Sequence, residues 1–340
     1  MAKLLEVKNL CTEFSSKNGT VKAVRNVSWG IDKGEILGIV GESGSGKSVS
    51  MLSILGLLAD NGKVTDGEIL FEGKNLSPAN LQSKAELKQH EKMMQGIRCK
   101  EIGMIFQDPM TFLNPVLRIG TQMTMPLMHH FGLSKAEAKK RAIEMMGKVG
   151  IPSPERRFNQ YPHEFSGGMR QRIIIAIALS CNPKLVIADE PTTALDVTIQ
   201  AQVLDLIKEL SDETKTSVIM ITHDLGVVAS LCTRIIIMYG GKIVESGTER
   251  EIFYEPKHPY TQGLLRSINN PDDDDDTELV SIPGSPPDLL APPAGCPFVD
   301  RCEHAMYVCR DKAPLTTQFS ESHTCNCWLY QQRGKVNVDG

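Results

Sequence analysis

The chain has 340 residues and a formal net charge of -4 at pH 7. This balance argues against a protein whose main task is to bind nucleic acid. No apolar run approaches the roughly 18 residues that a membrane span needs. Because the first residues also lack the apolar segment of a signal peptide, we expect a cytosolic protein whose thiols stay reduced.

The first third of the chain predicts strands around a glycine-rich loop. The segments LLEVKNL and VKAVRNVSWGI alternate apolar and polar residues, as half-buried strands do. GEILGIV (34–40) is a denser apolar run that suits a buried parallel strand. Residues 80–100 are polar and Lys-rich and predict a helix, and IGMIFQ (102–107) predicts a short strand.

The pattern becomes helical between residues 108 and 165, where SKAEAKKRAIEMMGKVG combines a Ser cap with apolar residues at helical spacing. Alternation of strands and helices then returns with LVIADE, VTIQAQVLDLIKEL and TSVIMIT. RIIIMYGGKIVESG predicts two strands joined by a tight hairpin at Gly240 and Gly241. The acidic run PDDDDD predicts an exposed linker, because like charges repel.

The stretch GESGSGKS (41–48) follows a predicted buried strand and precedes a helical segment. It fits the spacing G-x-x-x-x-G-K-[ST], in which backbone amides and a helix N-terminus surround phosphate groups. A plain glycine-rich turn is the alternative, but the strand–loop–helix context favours the phosphate loop. Lys47 is expected to reach the β- and γ-phosphates, and Ser48 is a candidate Mg²⁺ ligand. The predicted ATP-binding residues of this loop are Gly41, Ser43, Gly44, Ser45, Gly46, Lys47 and Ser48.

Two acidic residues end the apolar strand LVIADE (185–190). Carboxylates at the end of a buried strand are unusual unless a cation or a reaction needs them. We expect Asp189 to hold Mg²⁺, directly or through water, and Glu190 to orient and deprotonate the attacking water. A solvated strand end is the alternative, and it is the weaker one beside a phosphate loop.

The stretch FSGGMRQR (165–172) predicts the start of another helix. The Ser166 hydroxyl and the amides of Gly167 and Gly168 would form a second anion site. Considered alone, this triplet favours an ordinary helix cap. Together with the phosphate loop, it suggests two phosphate-binding surfaces far apart in sequence.

The ordered motifs GESGSGKS, IFQDP, FSGGMRQR, LVIADEPTTALD and ITHDL resemble those of the ATP-binding-cassette ATPases of transporters, over residues 1–250. The resemblance implies an α/β fold: a P-loop ATPase core with an N-terminal antiparallel β subdomain and an inserted α-helical subdomain, followed here by a C-terminal Cys-rich extension. It also implies that two cassettes meet head to tail, with each ATP clamped between one P-loop and the Ser-Gly-Gly signature of the other cassette.

The resemblance and the changes in composition along the sequence predict where the domain boundaries of the chain lie. The predicted units are the cassette core (1–107 and 166–250), the helical subdomain (108–165), a helical extension (251–270), a linker (271–295) and the Cys-rich extension (296–330).

Further roles follow from the resemblance by position. Gln107 matches a glutamine that contacts Mg²⁺ and the attacking water, and His223 matches a histidine that contacts the γ-phosphate. Asp196 matches a residue that passes information across the dimer, and Phe14 is our choice for the aromatic ring stacked on adenine. Without the resemblance, Phe14 is equally well interpreted as a buried strand residue, and His223 is better interpreted as a structural histidine.

A closer resemblance concerns HEFSGGMRQR, ADEPTTALDVTIQAQ, HPYTQGLLRSI and GCPFVDRCEHAMYVC, which are similar to the cassette subunits of bacterial oligopeptide and dipeptide importers. It implies a peripheral ATPase at the cytoplasmic face of the membrane. The implied partners are a second, distinct cassette, two transmembrane permeases and an extracytoplasmic substrate-binding protein, with membrane contact only through partners and no nucleic acid. Import of nickel or another small solute by the same machinery is the alternative.

Two rival functions belong to other classes. Cassettes that organise or repair DNA insert long coiled coils or zinc modules, whereas the 58 residues between Gln107 and Ser166 show no sustained heptads. Non-hydrolysing regulatory cassettes usually lack the acid or the histidine, whereas this chain has both Glu190 and His223.

Five of the nine cysteines lie in the last 45 residues. Four of them have the spacing C-x5-C-x6-C-x17-C and match, by the resemblance, the thiolates of an iron–sulfur binding region. Four thiolates suit a [4Fe–4S] cluster, and they also suit a structural zinc. Cys325 departs from the pattern and is a competitor for Cys327. The predicted metal ligands are Cys296, Cys302, Cys309 and Cys327.

Overall fold

The computed structural model describes residues 3–107, 112–193, 196–267 and 282–331, and its strands form two sheets. The strands are β1 (Leu5–Ser16), β2 (Gly19–Ile31), β3 (Ile36–Val40), β4 (Gly62–Phe71), β5 (Lys74–Asn75), β6 (Ile102–Ile105), β7 (Leu185–Asp189), β8 (Ser217–Thr222), β9 (Arg234–Tyr239), β10 (Lys242–Thr248), β11 (Thr317–Gln318) and β12 (Thr324–Cys325). The smaller sheet has the order β2-β1-β4-β5, and the larger has the order β11-β12-β10-β9-β3-β8-β7-β6.

The smaller sheet is antiparallel, as the alternating N-terminal segments predicted. Its inward residues, such as Leu5 and Leu10, belong to one buried cluster with Met51 of the helix that follows β3 and with Leu37 of β3 itself. This sheet therefore covers one side of the phosphate loop and its helix.

Five strands of the larger sheet, β9, β3, β8, β7 and β6, run in parallel. All residues of β3, β7 and β8 are buried, as expected for strands covered on both faces. The carboxyl ends of parallel strands meet at one edge, where α/β proteins bind ligands. The predicted phosphate loop (41–48), Gln107, Glu190 and His223 each follow one of these ends.

Helices fill both faces of the larger sheet and the segment between residues 112 and 165. The helices in the described residues are α1 (Lys47–Leu55), α2 (Lys84–Ile97), α3 (Ile119–Phe131), α4 (Lys135–Lys148), α5 (Pro154–Arg157), α6 (Gly167–Leu179), α7 (Val197–Thr214), α8 (Leu225–Leu231), α9 (Glu249–Tyr254), α10 (Pro259–Arg266) and α11 (Val308–Asp311). The predicted Ser cap is present: Ser134 and Glu137 form a reciprocal capping box at the start of α4. None of the helices in the described ranges combines the length and apolar character that a membrane span requires.

The last part of the chain attaches to the edge of the larger sheet. β9 and β10 form the predicted hairpin, in which Gly240 and Gly241 have φ of 53° and 76°. β12 pairs with β10, and β11 pairs with β12. Before them, the backbone carbonyl of Leu289 accepts a hydrogen bond from the backbone of Lys22. The described part of the predicted linker therefore contacts the small sheet, while PDDDDD lies outside the described residues.

Candidate nucleotide site and cysteine pocket

The phosphate loop occupies residues 41–46, between β3 and α1, and its backbone needs glycine at defined places. Gly41, Gly44 and Gly46 have φ of 159°, 77° and 99°. A Cβ at Gly41 would lie 2.1 Å from a backbone oxygen, and a Cβ at Gly46 would lie 2.6 Å from another. The hydroxyl of Ser45 is buried without a hydrogen-bond partner in the described structure, and it is therefore free to meet a phosphate oxygen.

Lys47 and Ser48 begin α1 and point toward the acidic strand end. Lys47 is only 5% exposed, and its ammonium donates to the carbonyl oxygens of Gly41 at 2.6 Å and Glu42 at 3.0 Å. Ser48 Oγ donates to Asp189 Oδ1 at 2.9 Å. Burial lowers the pKa of Lys47 and raises that of Asp189. Both charges are costly in this environment, and a polyphosphate with a divalent cation would compensate them.

The carboxylate of Glu190 stands beside this pair and has three polar neighbours. Gln107 Nε2 donates to Glu190 Oε2 at 2.8 Å, and Thr193 Oγ1 donates to the same oxygen at 2.9 Å. His223 Nδ1 lies 3.3 Å from Glu190 Oε1. The Glu190 backbone has φ of 45°, a region that non-glycine residues rarely adopt. Such strain is typical of a residue whose position is fixed by function.

The structure therefore brings the predicted P-loop, magnesium and catalytic residues into one cluster. Thr193, which holds Glu190, was missed by the sequence reasoning. Its signal was its place in the segment PTTALD, three residues after the acid. Gln171 was missed as well. It is buried in α6, and its Nε2 donates to the carbonyl of Pro191 at 2.6 Å. This hydrogen bond joins the signature helix to the loop after β7.

The signature residues Ser166, Gly167 and Gly168 lie apart from this cluster. Ser166 is the N-cap of α6, and its Oγ accepts a hydrogen bond from the amide of Met169 at 3.4 Å. Within the described residues, no hydrogen bond or ion pair joins this helix end to the P-loop cluster. Asp196 caps α7 in the same manner, with Oδ1 accepting from the amide of Ile199 at 3.0 Å.

Phe14 lies near the end of β1, with its ring against the neighbouring strand. A Cβ at Gly62 of β4 would lie 2.5 Å from that ring, so the glycine leaves room for it. Phe14 is half-buried.

Comparison with known proteins now identifies the architecture. A family model described as ABC transporter matches residues 24–193, which is half of the chain. The chain belongs to the ABC transporter family. A second model, described as the C-terminal region of oligopeptide/dipeptide transporters, matches residues 244–309.

Several relatives of this ABC transporter ATPase match along nearly its whole length. It is 54% identical over 339 residues to the dipeptide transport ATP-binding protein DppD of Bacillus subtilis, covering 99% of this chain and 98% of that protein. It is 54% identical to the oligopeptide transport ATP-binding protein OppD of the same organism, covering 97% and 89% of the two chains. It is 49% identical to OppD of Escherichia coli, covering 92% and 89%.

Solved structures agree on the fold. A dimeric ATP-binding cassette in a post-hydrolysis state, bound to ADP and Pi, superposes with a TM-score of 0.62 at 31% identity and covers 72% of this chain and 99% of that one. The predicted ABC ATPase fold, a mixed α/β core with an antiparallel β subdomain, is therefore confirmed.

An apolar groove of this ABC transporter ATPase lies between β6, α3 with the segment before it, and α6. It has a volume of about 820 Å³, and its lining includes Phe106, Phe112, Met125, Met128 and Ile177. Two of these side chains, Phe112 and Met125, are 46% and 56% exposed. The two helices that line the groove, α3 and α6, have 13 residues each and are shorter than the long coiled coils of DNA-organising cassettes.

Four cysteines of the extension, Cys296, Cys302, Cys309 and Cys327, line one small pocket. Burial, and to a smaller extent the charges of the other three thiols, raises the pKa of Cys296 to about 12. Cys325 is not among the lining residues; it lies in β12, and its thiol hydrogen bond lowers the pKa of Cys327. Across the described residues, no group of three or more His, Cys, Asp or Glu side chains could hold a metal ion as it stands.

His258 also lines this pocket and has one unsatisfied nitrogen. Its Nδ1 accepts a hydrogen bond from the amide of Tyr260 at 3.1 Å, and burial lowers its pKa to about 3. The ring is therefore neutral, with its proton on Nε2. That Nε2–H is buried without a partner in the described structure, which costs about 1–3 kcal/mol unless an acceptor is supplied. Because Nδ1 already accepts a bond, His258 suits a donor to a bound group better than a ligand of a metal.

Proposed function

We propose that this chain is the ATP-hydrolysing subunit of a bacterial importer of oligopeptides or dipeptides, working at the cytoplasmic face of the membrane. The observation that carries the proposal is the cluster of Lys47, Ser48, Asp189 and Glu190 at one edge of the parallel sheet. The cargo is inferred from the relatives, which are named for dipeptide and oligopeptide transport over nearly their full length.

The residues present fit ATP and magnesium. The phosphate-loop amides, the free Ser45 hydroxyl and the Lys47 ammonium would bind the phosphates. The Ser48 hydroxyl and the Asp189 carboxylate, 2.9 Å apart, would hold Mg²⁺. Gln107 would lie near the cation, because it donates a hydrogen bond to Glu190, the residue after Asp189. The cation would neutralise the charge that the phosphate oxygens share.

Glu190 is proposed as the group that takes the proton of the attacking water. Gln107 and Thr193 fix its carboxylate, and His223 lies on its other oxygen with 58% of its own side chain exposed. This exposure leaves the imidazole free to turn toward a γ-phosphate. Catalysis is then mainly a matter of position and charge, as is usual for phosphoryl transfer.

A second cassette is proposed to complete each ATP site. The signature residues Ser166, Gly167 and Gly168 present a helix N-terminus away from the chain's own P-loop, which makes them available to a nucleotide held by a partner. A related cassette has been solved as a dimer bound to ADP and Pi. We infer a distinct homologous cassette as partner, with Asp196 beside the dimer interface and Phe14 against the adenine.

The remaining partners are two transmembrane permeases and an extracytoplasmic substrate-binding protein. We propose residues 108–165 as the helical subdomain and the apolar groove beside Phe106 and Met125 as the permease contact. Flexible Met side chains can adapt to an apolar helix in such a groove. Contact with the membrane is through these partners alone.

We further propose that the Cys-rich extension carries a metal centre, with a [4Fe–4S] cluster favoured and zinc as the alternative. Two observations support it: the four cysteines with the predicted spacing share one pocket, and the orphaned Nε2–H of His258 lines that pocket. Cys296, Cys302, Cys309 and Cys327 would be the thiolate ligands, and His258 would donate to one of the sulfurs. A metal centre would fix a tail too small to form its own core.

Anaerobic purification followed by assay of iron, sulfide and zinc tests this centre. We expect about four irons and four sulfides per chain with a broad brown absorption, which Cys302→Ser abolishes. Cys11→Ser, the matched control in β1 and outside the pocket lining, should retain them. One colourless zinc per chain would favour the alternative, and full metal content in Cys302→Ser would contradict the ligand assignment.

The cargo is tested in cells that lack this chain. Restoring the wild-type chain should restore uptake of a labelled dipeptide or tetrapeptide, whereas the Glu190→Gln chain should not. Uptake of labelled nickel is measured in parallel. Restored nickel uptake without any peptide uptake would contradict the peptide cargo while leaving the ATPase assignment intact.

A further inference from the structure

One side chain of the Cys-rich extension reaches the phosphate loop. Arg301 directly precedes Cys302, and its Nη1 donates to Glu42 Oε2 at 2.7 Å and to the Tyr239 hydroxyl at 3.0 Å. The Arg301 side chain is only 6% exposed. Glu42 is the second residue of the phosphate loop, 259 positions earlier in the chain. The extension is therefore in direct contact with the ATP site.

Hydrogen bonds and aromatic rings together fix the Arg301 guanidinium in place. Arg301 Nε donates to the carbonyl of Pro283 and Nη2 to the carbonyl of Ile282, both at 3.0 Å. Its carbon lies 5.6 Å and 5.9 Å from the ring centres of Tyr239 and Phe298. A buried arginine with this many partners has one orientation, so it fixes the group that it binds.

The Glu42 carboxylate needs a positively charged partner because this residue belongs to the phosphate loop. Its carbonyl oxygen accepts a hydrogen bond from Lys47, so this residue is part of the loop that would bind the phosphates. An unpaired carboxylate there would repel a polyanion. Its amide is held as well, since it donates to the Tyr260 hydroxyl at 2.9 Å. Tyr260 lies two residues after His258 of the cysteine pocket, so both anchors of Glu42 come from segments that line this pocket.

We propose that Arg301 is a positioning residue for ATP binding: it neutralises the Glu42 carboxylate and holds it in place beside the phosphate loop. The Cys-rich extension is then a part of the nucleotide site rather than a separate appendage. The proposal rests on the proposed ATP site and does not require a metal in the cysteine pocket. It identifies a route by which a change at Cys302 would alter ATP affinity.

The test compares four full-length chains: wild type, Arg301→Gln, Glu42→Gln and the double variant. We expect Arg301→Gln to raise KM for ATP and the dissociation constant of the non-hydrolysed analogue AMP-PNP about tenfold, with kcat changed less than about twofold. Glu42→Gln alone should bind AMP-PNP at least as tightly as wild type, because it removes the negative charge. The double variant should recover most of the lost affinity, since no unpaired carboxylate remains.

The matched control is Arg310→Gln, which removes an exposed arginine of the same extension that pairs with Asp300 at 3.5 Å. It should leave KM unchanged. Wild-type affinity in a folded Arg301→Gln, or a double variant weaker than Arg301→Gln, would overturn the proposal. If Arg301→Gln does not fold, the Glu42→Gln variant tests the proposal by itself. An affinity of Glu42→Gln for AMP-PNP tenfold weaker than that of wild type would then overturn the proposal. Failure of the wild type itself to bind AMP-PNP would instead contradict the proposed ATP site.

Discussion

Replacing Glu190 by glutamine is expected to lower kcat for ATP hydrolysis by roughly 10²- to 10⁴-fold, the range for loss of a general base. Glutamine keeps the size of the side chain and can still accept a hydrogen bond from Gln107 or Thr193. The fold and the phosphate loop should therefore be unaffected, and ATP affinity should stay within about twofold of wild type. Steady-state hydrolysis and AMP-PNP binding measure the two quantities separately.

Glu213→Gln is the matched control, because Glu213 is an exposed acid that pairs with Lys148 on the surface. It should leave kcat unchanged. A Glu190→Gln chain that hydrolyses ATP at the wild-type rate would contradict the assignment of Glu190 as the base. It would leave the nucleotide-binding role of the phosphate loop untouched.

Replacing Lys47 by alanine is expected to weaken ATP binding by about 10- to 100-fold, the loss of a hydrogen bond between charged groups. Lys47 is 5% exposed, and the charges of Glu190, Asp189 and Glu42 lie near its ammonium. Removing it also takes away one hydrogen-bond donor from the carbonyl of Gly41 and one from the carbonyl of Glu42, which keeps the amide of Ser45. Hydrolysis should fall further than binding, because Lys47 would also stabilise charge in the transition state.

Lys148→Ala is the control for this variant, since Lys148 lies on α4 and its side chain is 47% exposed. Equilibrium binding of AMP-PNP and thermal unfolding of both variants separate loss of affinity from loss of fold. Unchanged affinity in a folded Lys47→Ala chain would contradict the phosphate-loop assignment.

The parts of the fold that local sequence determines were predicted well. The buried run before Gly41 predicted β3, the Ser134 cap predicted the start of α4, and the glycine pair at residue 240 predicted the β9–β10 hairpin. Each depends on residues close in sequence: a hydrophobic period, a capping side chain or a positive φ. The spacing of the phosphate loop has the same local character.

Other features depend on contacts between distant segments. Gln107 meets Glu190 across 83 positions, and Arg301 meets Glu42 across 259. Tertiary packing alone brings these side chains together, and a single sequence has no period or motif that pairs them. The positive φ of Glu190 also has no local signal, because the residue type disfavours it. The resemblance suggested that Gln107 belongs to the site, whereas nothing suggested Arg301.

The most direct test of the whole account is peptide uptake by proteoliposomes that contain this chain, its partner cassette and the two permeases. The substrate-binding protein and a labelled peptide are placed on one side and ATP with Mg²⁺ on the other. The account predicts ATP-dependent accumulation of peptide with the wild-type chain and its loss with Glu190→Gln, although both bind ATP. Equal accumulation with Glu190→Gln, or ATP hydrolysis without any peptide accumulation, would contradict it.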